Sequence, residues 1–403
     1  MNCCPLHIGV LDVLNNSYGV ATLWIALAFV ASVISVRVGM SVALVEILLG
    51  VLGGNLFGMS SNQWIDLLAG FGSVLLTFLA GAEIDPRSFR RFLRPSLVIG
   101  GVGFISPCVA AWAFALLVLH WPLHASEIAG IALSTTSVAV VYAVMLETGL
   151  NRTDLGKLIL CACFVCDLGT VLALGVVFAN YNSVLIAFGI ATAIVMVFLP
   201  RSLRFVIRHI GHPISEPEVK YVFLLLFGLG ALATAAKSEA VLPAYLLGLG
   251  AAGIFHSDPK MVGRVRGVAF TFLTPFFFVR AGTLIALPAV IAGSLTILVL
   301  FGVKVAAKVV GVFPATRPFR IRIREAWYTT MMMSTGLTFG TIAALFGLTN
   351  GYISRSQYSI LVTVVVLTAL VPTLIAQLVF KPRVTDLLHG APEPDPDPGV
   401  LVA

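Results

Sequence analysis

A single carboxylate stands near the middle of an apolar run. It is Asp167, within Leu158–Val177, reading LILCACFVCDLGTVLALGVV. A run of that length crosses a hydrocarbon core of roughly 30 Å as a helix. A charge held at that depth costs about 2.5–3.5 kcal/mol on insertion scales. Such an acid is tolerated when a proton, a cation or a counter-charge neutralises it. That is the chemistry of a group that trades a proton for a cation. The competing reading is a structural polar pair.

Other polar residues share this depth. Lys304 and Lys308, in SLTILVLFGVKVAAKVVGVF, lie one turn apart on one helix face. A lysine near an interface can snorkel. Both lie at least five residues from the ends of the run, so at least one should face a protein or water cavity, with Asp167 as its partner. Two Ser/Thr clusters also interrupt apolar runs: IALSTTSVAVV, with Thr135 and Thr136, and MMMSTGLTFGT, with Ser334, Thr335, Gly336 and Gly340. Hydroxyls at such places can satisfy backbone groups freed by a helix break. In a continuous helix they would only bond back to the preceding turn. Their matching places in the chain favour breaks. Glu46 is a second buried acid, read as a structural hydrogen bond rather than another titrating site. Cys161, Cys163 and Cys166 lack the histidines and the convergence of a zinc site. They read as small apolar packing residues.

These side chains need helices to hold them. The 403 residues are 59% hydrophobic and 11% charged, with mean hydropathy +1.03. Soluble domains carry about 25% charge, so the chain reads as an all-α polytopic membrane protein and no enzyme or cofactor chemistry is expected. Hydropathy gives thirteen spans, near 19–38, 41–58, 64–82, 95–119, 126–147, 154–179, 182–199, 218–236, 239–255, 267–281, 286–313, 322–347 and 356–379. Residues 1–18 read as a short extracytoplasmic N-terminus without the basic start of a cleaved signal. Residues 19–380 form the transmembrane domain. Residues 381–403, rich in Pro and acid, read as a disordered cytoplasmic tail with no regulatory domain after it. Pro107 is a candidate kink in the fourth span.

The net charge of +7 reads as topology rather than nucleic-acid binding. Twenty of the 25 basic residues fall in alternate connections: Arg37; Arg87 to Arg94; Arg152 and Lys157; Arg201 to Lys220; Lys260 to Arg266; Arg317 to Arg324; Lys381 and Arg383. Lys237, Arg280 and Arg355 lie on the other side. This split puts the N-terminus outside and the C-terminus in the cytoplasm. An odd count of spans suggests two groups of six around a linker, which inverts the second group. GLGAAG at Gly248–Gly253 fits a dinucleotide pattern but lies inside an apolar span with no strand before it. Close helix packing explains it better, as it does Gly50, Gly54 and Gly58.

Taken together, VEILLGVLGGNLFG, LAGAEIDPRSFRRFLRP, ALSTTSVAVVYAVMLETGLNRTDLGKLIL, FVCDLGTVLAL, PAYLLGLGAAGIF, TPFFFVRAGTLI and KVAAKVVG resemble the monovalent cation:proton antiporter-2 family. That family is part of the sodium/proton exchanger group, and the resemblance covers about residues 20–380. It implies a homodimer, a core moving against a static dimerisation domain, and two crossing discontinuous helices from the fifth and twelfth spans. It implies exchange of Na+ or K+ for protons across the lipid bilayer of a bacterial inner membrane. The family's essential aspartate falls on Asp167. The residue before it is usually Asp, Asn or Gln, and Cys166 in that place implies electroneutral exchange. A thiol is a poor ligand for a hard cation, which leaves Thr135, Thr136 and backbone carbonyls as helpers. The family's basic residue matches Lys308 through K-x-x-G, with Lys304 as the alternative. Arg280, in FFFVRAG, is left between the ion path and the outer interface.

Three rival readings compete with exchange. A cation channel of the same fold would conduct without proton coupling. A sodium-coupled symporter for organic solutes needs a polar substrate cavity, and no further cluster supplies one. An intramembrane aspartyl protease needs two deep aspartates, whereas Asp66, Asp85 and Asp154 fall near span ends.

Overall fold

Inside a bilayer the backbone must satisfy its own hydrogen bonds, so apolar runs of this length fold as helices. The computed structural model describes residues 17–38, 41–59, 61–82, 84–178, 183–210, 215–236, 240–257 and 259–382, and among these there is helix and no strand. Each expected span is mostly helical over its described residues, with interruptions inside the fifth and twelfth. Of the expected N-terminal segment (1–18) and tail (381–403), residues 1–16 and 383–403 lie outside the described residues.

The first half begins with α1 (Ser17–Val38), α2 (Val42–Leu56) and α3 (Gln63–Ala82). A short helix α4 (Pro86–Arg91) leads into α5 (Leu93–Leu117), then α6 (Leu123–Ser134), α7 (Val138–Thr148) and α8 (Asp154–Val177). After α9 (Ser183–Phe205) come α10 (Pro217–Ala235), α11 (Val241–Ser257), α12 (Pro259–Val268) and α13 (Thr274–Thr283). Short α14 (Leu287–Ala292) leads into α15 (Ser294–Thr316), followed by α16 (Ile323–Met333), α17 (Thr338–Thr349) and α18 (Arg355–Ile375). Among the described residues, ten helical segments are long and apolar enough to cross a membrane, and the protein is an integral membrane protein. The helix α5 runs on through Pro107.

Two helix pairs are packed so closely that only glycine fits between them. A Cβ on Gly50 would strike the Val279 carbonyl, and one on Gly282 the Ile47 carbonyl, so α2 lies directly on α13. In the same way a Cβ on Gly248 would strike the Phe78 carbonyl and one on Gly81 the Tyr245 carbonyl, seating α11 on α3. Small residues permit this approach where lipid supplies no hydrophobic drive for association.

The ion pairs respect the charge alternation. Arg91 meets Asp154, His256 faces Asp85, and Arg264 meets Glu216 and Glu218, each joining connections on the arginine-rich end. Arg280 and Asp66 join at the other end. The α16–α17 segment is 89% buried against 22% for Ile186–Ile210, so the former lies at the centre and α9 at the edge.

Candidate functional site

Both Ser/Thr clusters are helix breaks. The helix stops after Ser134 and resumes at Val138; its counterpart stops after Met333 and resumes at Thr338. Each interruption frees carbonyls that a helix would have bonded. Local hydroxyls take them. Ser134 and Thr135 donate to the Ile131 and Ala132 carbonyls at 2.7 and 3.0 Å. Ser334 and Thr335 donate to the Thr330 and Met332 carbonyls at 2.7 and 2.9 Å. The breaks then meet. The Ser137 N–H donates to the Thr335 carbonyl at 3.1 Å, and the Thr136 hydroxyl donates to the Met333 carbonyl at 2.9 Å. Gly340 leaves room for Thr135, whose Oγ1 would lie 2.9 Å from an added Cβ.

The lysines divide between the two breaks. Both are fully buried on α15. Lys308 Nζ donates to Thr136 Oγ1 at 3.0 Å and lies 3.8 Å from Cys166 Sγ. Lys304 Nζ donates to Thr368 Oγ1 on α18 at 3.0 Å. A Cβ on Gly336 would collide with that ammonium, so glycine is what admits Lys304 to the second break.

Cys166 faces the first break from α8. Its thiol donates to the Ser134 carbonyl at 3.4 Å and lies 3.3 Å from Thr136 Oγ1. It therefore ties the end of α6 to the helix that carries Asp167. One turn earlier, Cys163 Sγ lies 3.7 Å from Met333 Sδ. Asp167 itself is 1% exposed, and neither carboxylate oxygen has a hydrogen-bond partner among the described residues. The sequence reading expects an ion pair with a lysine. Here no ammonium lies within the 4 Å of a salt bridge, because Lys308 reaches the hydroxyl of Thr136 instead. The arrangement is a buried acid with free acceptor atoms, on a helix whose Cys166 and Cys163 touch the two unwound segments. Such a place can hold a small cation or a proton.

The remaining candidates lie apart. Arg280 Nε donates to Asp66 Oδ1 at 2.6 Å, at the end of the bundle opposite the arginine-rich loops. Glu46 is 2% exposed on α2, and its Oε2 has no hydrogen-bond partner among the described residues. Sequence reasoning assigned no role to Tyr245, Thr368 or Met333. Tyr245 donates to the Phe164 carbonyl at 3.1 Å, one turn before Asp167, and stacks edge-on against Phe339 of α17. Its signal was a lone tyrosine in PAYLLG, which spacing alone does not distinguish from packing.

This architecture has known relatives. The description "Sodium/hydrogen exchanger, transmembrane" matches residues 25–381. The chain is 22% identical over 351 residues to the probable Na(+)/H(+) antiporter 3 of Methanocaldococcus jannaschii, covering 84% of this chain and 89% of that protein. It is 24% identical over 353 residues to the Na(+)/H(+) antiporter NhaS4 of Synechocystis, covering 82% and 85%. The solved structure of the sodium proton antiporter MjNhaP1 from Methanocaldococcus jannaschii matches with TM-score 0.68 at 16% identity, over 89% of this chain and 96% of that one. With broken helices meeting beside a buried aspartate and a family match along nearly the whole chain, this protein belongs to the sodium/hydrogen exchanger family.

Proposed function

We propose that the protein exchanges a monovalent cation, Na+ or K+, for protons by alternating access, with Asp167 as the carboxylate that binds either one. The observation that carries this is the Asp167 carboxylate: buried, without a hydrogen-bond partner among the described residues, and on a helix that touches the two breaks through Cys166 and Cys163. A proton or a cation neutralises the same charge, so binding one displaces the other. Only the neutralised carrier moves readily, which couples the two fluxes. Thr135, Thr136 and carbonyls of the unwound segments supply the oxygen ligands that hard cations favour. Ser334 and Thr335 shape the second break, and Lys308 is the nearest organising cation. Cys166 spends its thiol on the Ser134 carbonyl, which supports one carboxylate per site and electroneutral exchange.

Correspondences between the halves support an inverted repeat. Gly50 and Gly248, Gly81 and Gly282, and Thr135 and Thr335 are pairs of counterparts about 200 residues apart. The contact of α2 with α13 then maps onto that of α11 with α3. Loop charges support an outside N-terminus and a cytoplasmic C-terminus. In this reading α5–α8 and α15–α18 move as a core against a dimerisation domain built on the glycine-packed pairs, and the protein works as a homodimer in a bacterial inner membrane.

The test is proton flux in proteoliposomes, with sodium and potassium added in turn and the potential clamped. Cation-driven proton movement at zero potential is expected. Cation conductance without proton movement would make it a channel and reject exchange.

A further inference from the structure

Two arginines face a cavity that ion exchange does not use. It has a volume of about 480 Å3 and lies between α9 and α11 at the arginine-rich end of the bundle. Arg204, Ile207 and Arg208 form one wall, and Gly250, Gly253 and Ser257 contribute to the other. Arg204 and Arg208 are four residues apart, so they project from one side of the helix. Arg204 spends its Nε on the Pro200 carbonyl at 2.8 Å. Among the described residues no carboxylate forms a salt bridge with either arginine; the acids at the start of α10, Glu216 and Glu218, are both taken by Arg264. The facing wall is open. A Cβ on Gly253 would meet nothing within 4 Å, and one on Gly250 only Leu199 at 3.4 Å.

The same face of α9 continues away from the arginines as an exposed apolar stripe. Val197, Ile190 and Ile186 are 62%, 57% and 66% exposed, and follow Arg204 and Pro200 at spacings of three, four and seven. We propose that this groove binds the phosphodiester headgroup of an anionic phospholipid, with its acyl chains along that stripe. Guanidinium groups bind phosphate oxygens in paired hydrogen bonds, and basic pockets between spanning helices suit anionic headgroups. Free phosphate shares the headgroup chemistry but has no use for the apolar stripe. The occupant would hold α9, which connects the two halves, against α11. The inference is independent of Asp167 and of exchange.

The test uses the full chain in neutral detergent. Binding of phosphatidylglycerol, phosphatidylcholine and inorganic phosphate is measured by native mass spectrometry and by thermal shift. Two variants are compared after gel filtration confirms that they are folded: Arg204→Gln with Arg208→Gln, and Gly253→Leu, which fills the groove without changing charge. Phosphatidylglycerol should bind the wild type, phosphatidylcholine should not, and millimolar phosphate should fail to displace the lipid. Loss of both arginines should weaken binding about thirtyfold, and Gly253→Leu should also weaken it. Undiminished binding in either variant, equal binding of phosphatidylcholine, or displacement by inorganic phosphate would overturn the proposal. The second of these results would mark general detergent-like adhesion, and the third a free-anion site.

Discussion

The two broken helices solve the same backbone problem with different charges around them. Each unwinds at a Ser/Thr pair, and each returns its own hydroxyls to the carbonyls that the break frees. At the first break, α8 brings Cys166 and then Asp167, an acid whose oxygens are unpartnered. At the second, α18 brings Thr368, which stands where the half-to-half correspondence would put the counterpart of Asp167. Thr368 is fully partnered: its hydroxyl accepts from Lys304 and donates to the Val365 carbonyl. Both lysines come from α15, while the matching part of α5 offers Gly103 and Pro107. The two breaks are alike and the chemistry around them is not. One break faces an acid with unpartnered oxygens, and the other a neutral hydroxyl that accepts from a lysine.

If the skeleton is doubled, damage to its glycine contacts should be equally severe in both halves. Gly282→Leu and Gly248→Leu each drive a side chain into a backbone carbonyl. Each should cost about 3 kcal/mol or more, seen as loss of monodisperse protein in detergent; tolerance in one half alone would break the comparison. Thr368→Val comes next. It leaves the Lys304 ammonium without its hydroxyl acceptor, at a cost of about 1.5–3 kcal/mol. Thermal melts should fall while exchange persists in the folded fraction, because this half is structural. The lysines sharpen the contrast. Lys308→Gln should shift the pH profile of exchange more than it lowers the amount in the membrane, whereas Lys304→Gln should lower stability and leave the profile in place. The reverse pattern would move the catalytic charge to the second break.

The smallest effect lies at the short helices that precede α5 and α15. Asp85 caps α4 by accepting from the Arg87 and Ser88 N–H groups at 3.0 and 3.2 Å. Ala286, before α14, has no side chain to cap with, and its own N–H donates to Ser359 Oγ at 2.9 Å. Asp85→Ala should cost about 1 kcal/mol at neutral pH. Partial burial opposes ionisation of Asp85, but hydrogen bonds from the Ser88 hydroxyl and the two N–H groups, with His256 nearby, outweigh it and hold the carboxyl below its ordinary value. A lowered native value means that the cap's contribution is present above the unfolded carboxylate range and is lost as pH falls through the native one. The difference between wild type and Asp85→Ala in thermal melts should therefore shrink in acid.

Much of the site was legible because depth and charge are written in one dimension. Asp167 was visible as the lone acid in an apolar run, and the clusters at Thr135–Thr136 and Ser334–Thr335 as polar interruptions at matching places. The breaks could be anticipated, since hydroxyls bond carbonyls three or four residues back. What joins the breaks could not. Thr136 with Met333, Lys308 with Thr136, and Tyr245 with Phe164 are contacts across 197, 172 and 81 residues, and no local spacing encodes them. For the same reason the hydrogen-bond partners of the lysines were not legible. Opposite charge suggested Asp167, whereas the rotation of α15 aims Lys308 at a hydroxyl and Lys304 at α18. Arg280 was ambiguous until Asp66, from a helix two hundred residues earlier in the chain, was seen beside it.

The central claim is that Asp167 is the exchanging group and that its counterpart Thr368 is not. The direct measurement is cation-driven proton flux in proteoliposomes carrying Asp167→Asn, a change that keeps size and removes the charge. The expected result is folded protein at wild-type levels with flux abolished under both sodium and potassium gradients. Persistent coupled flux in that variant would contradict the account and move the exchanging carboxylate elsewhere, with Glu46 the first place to look.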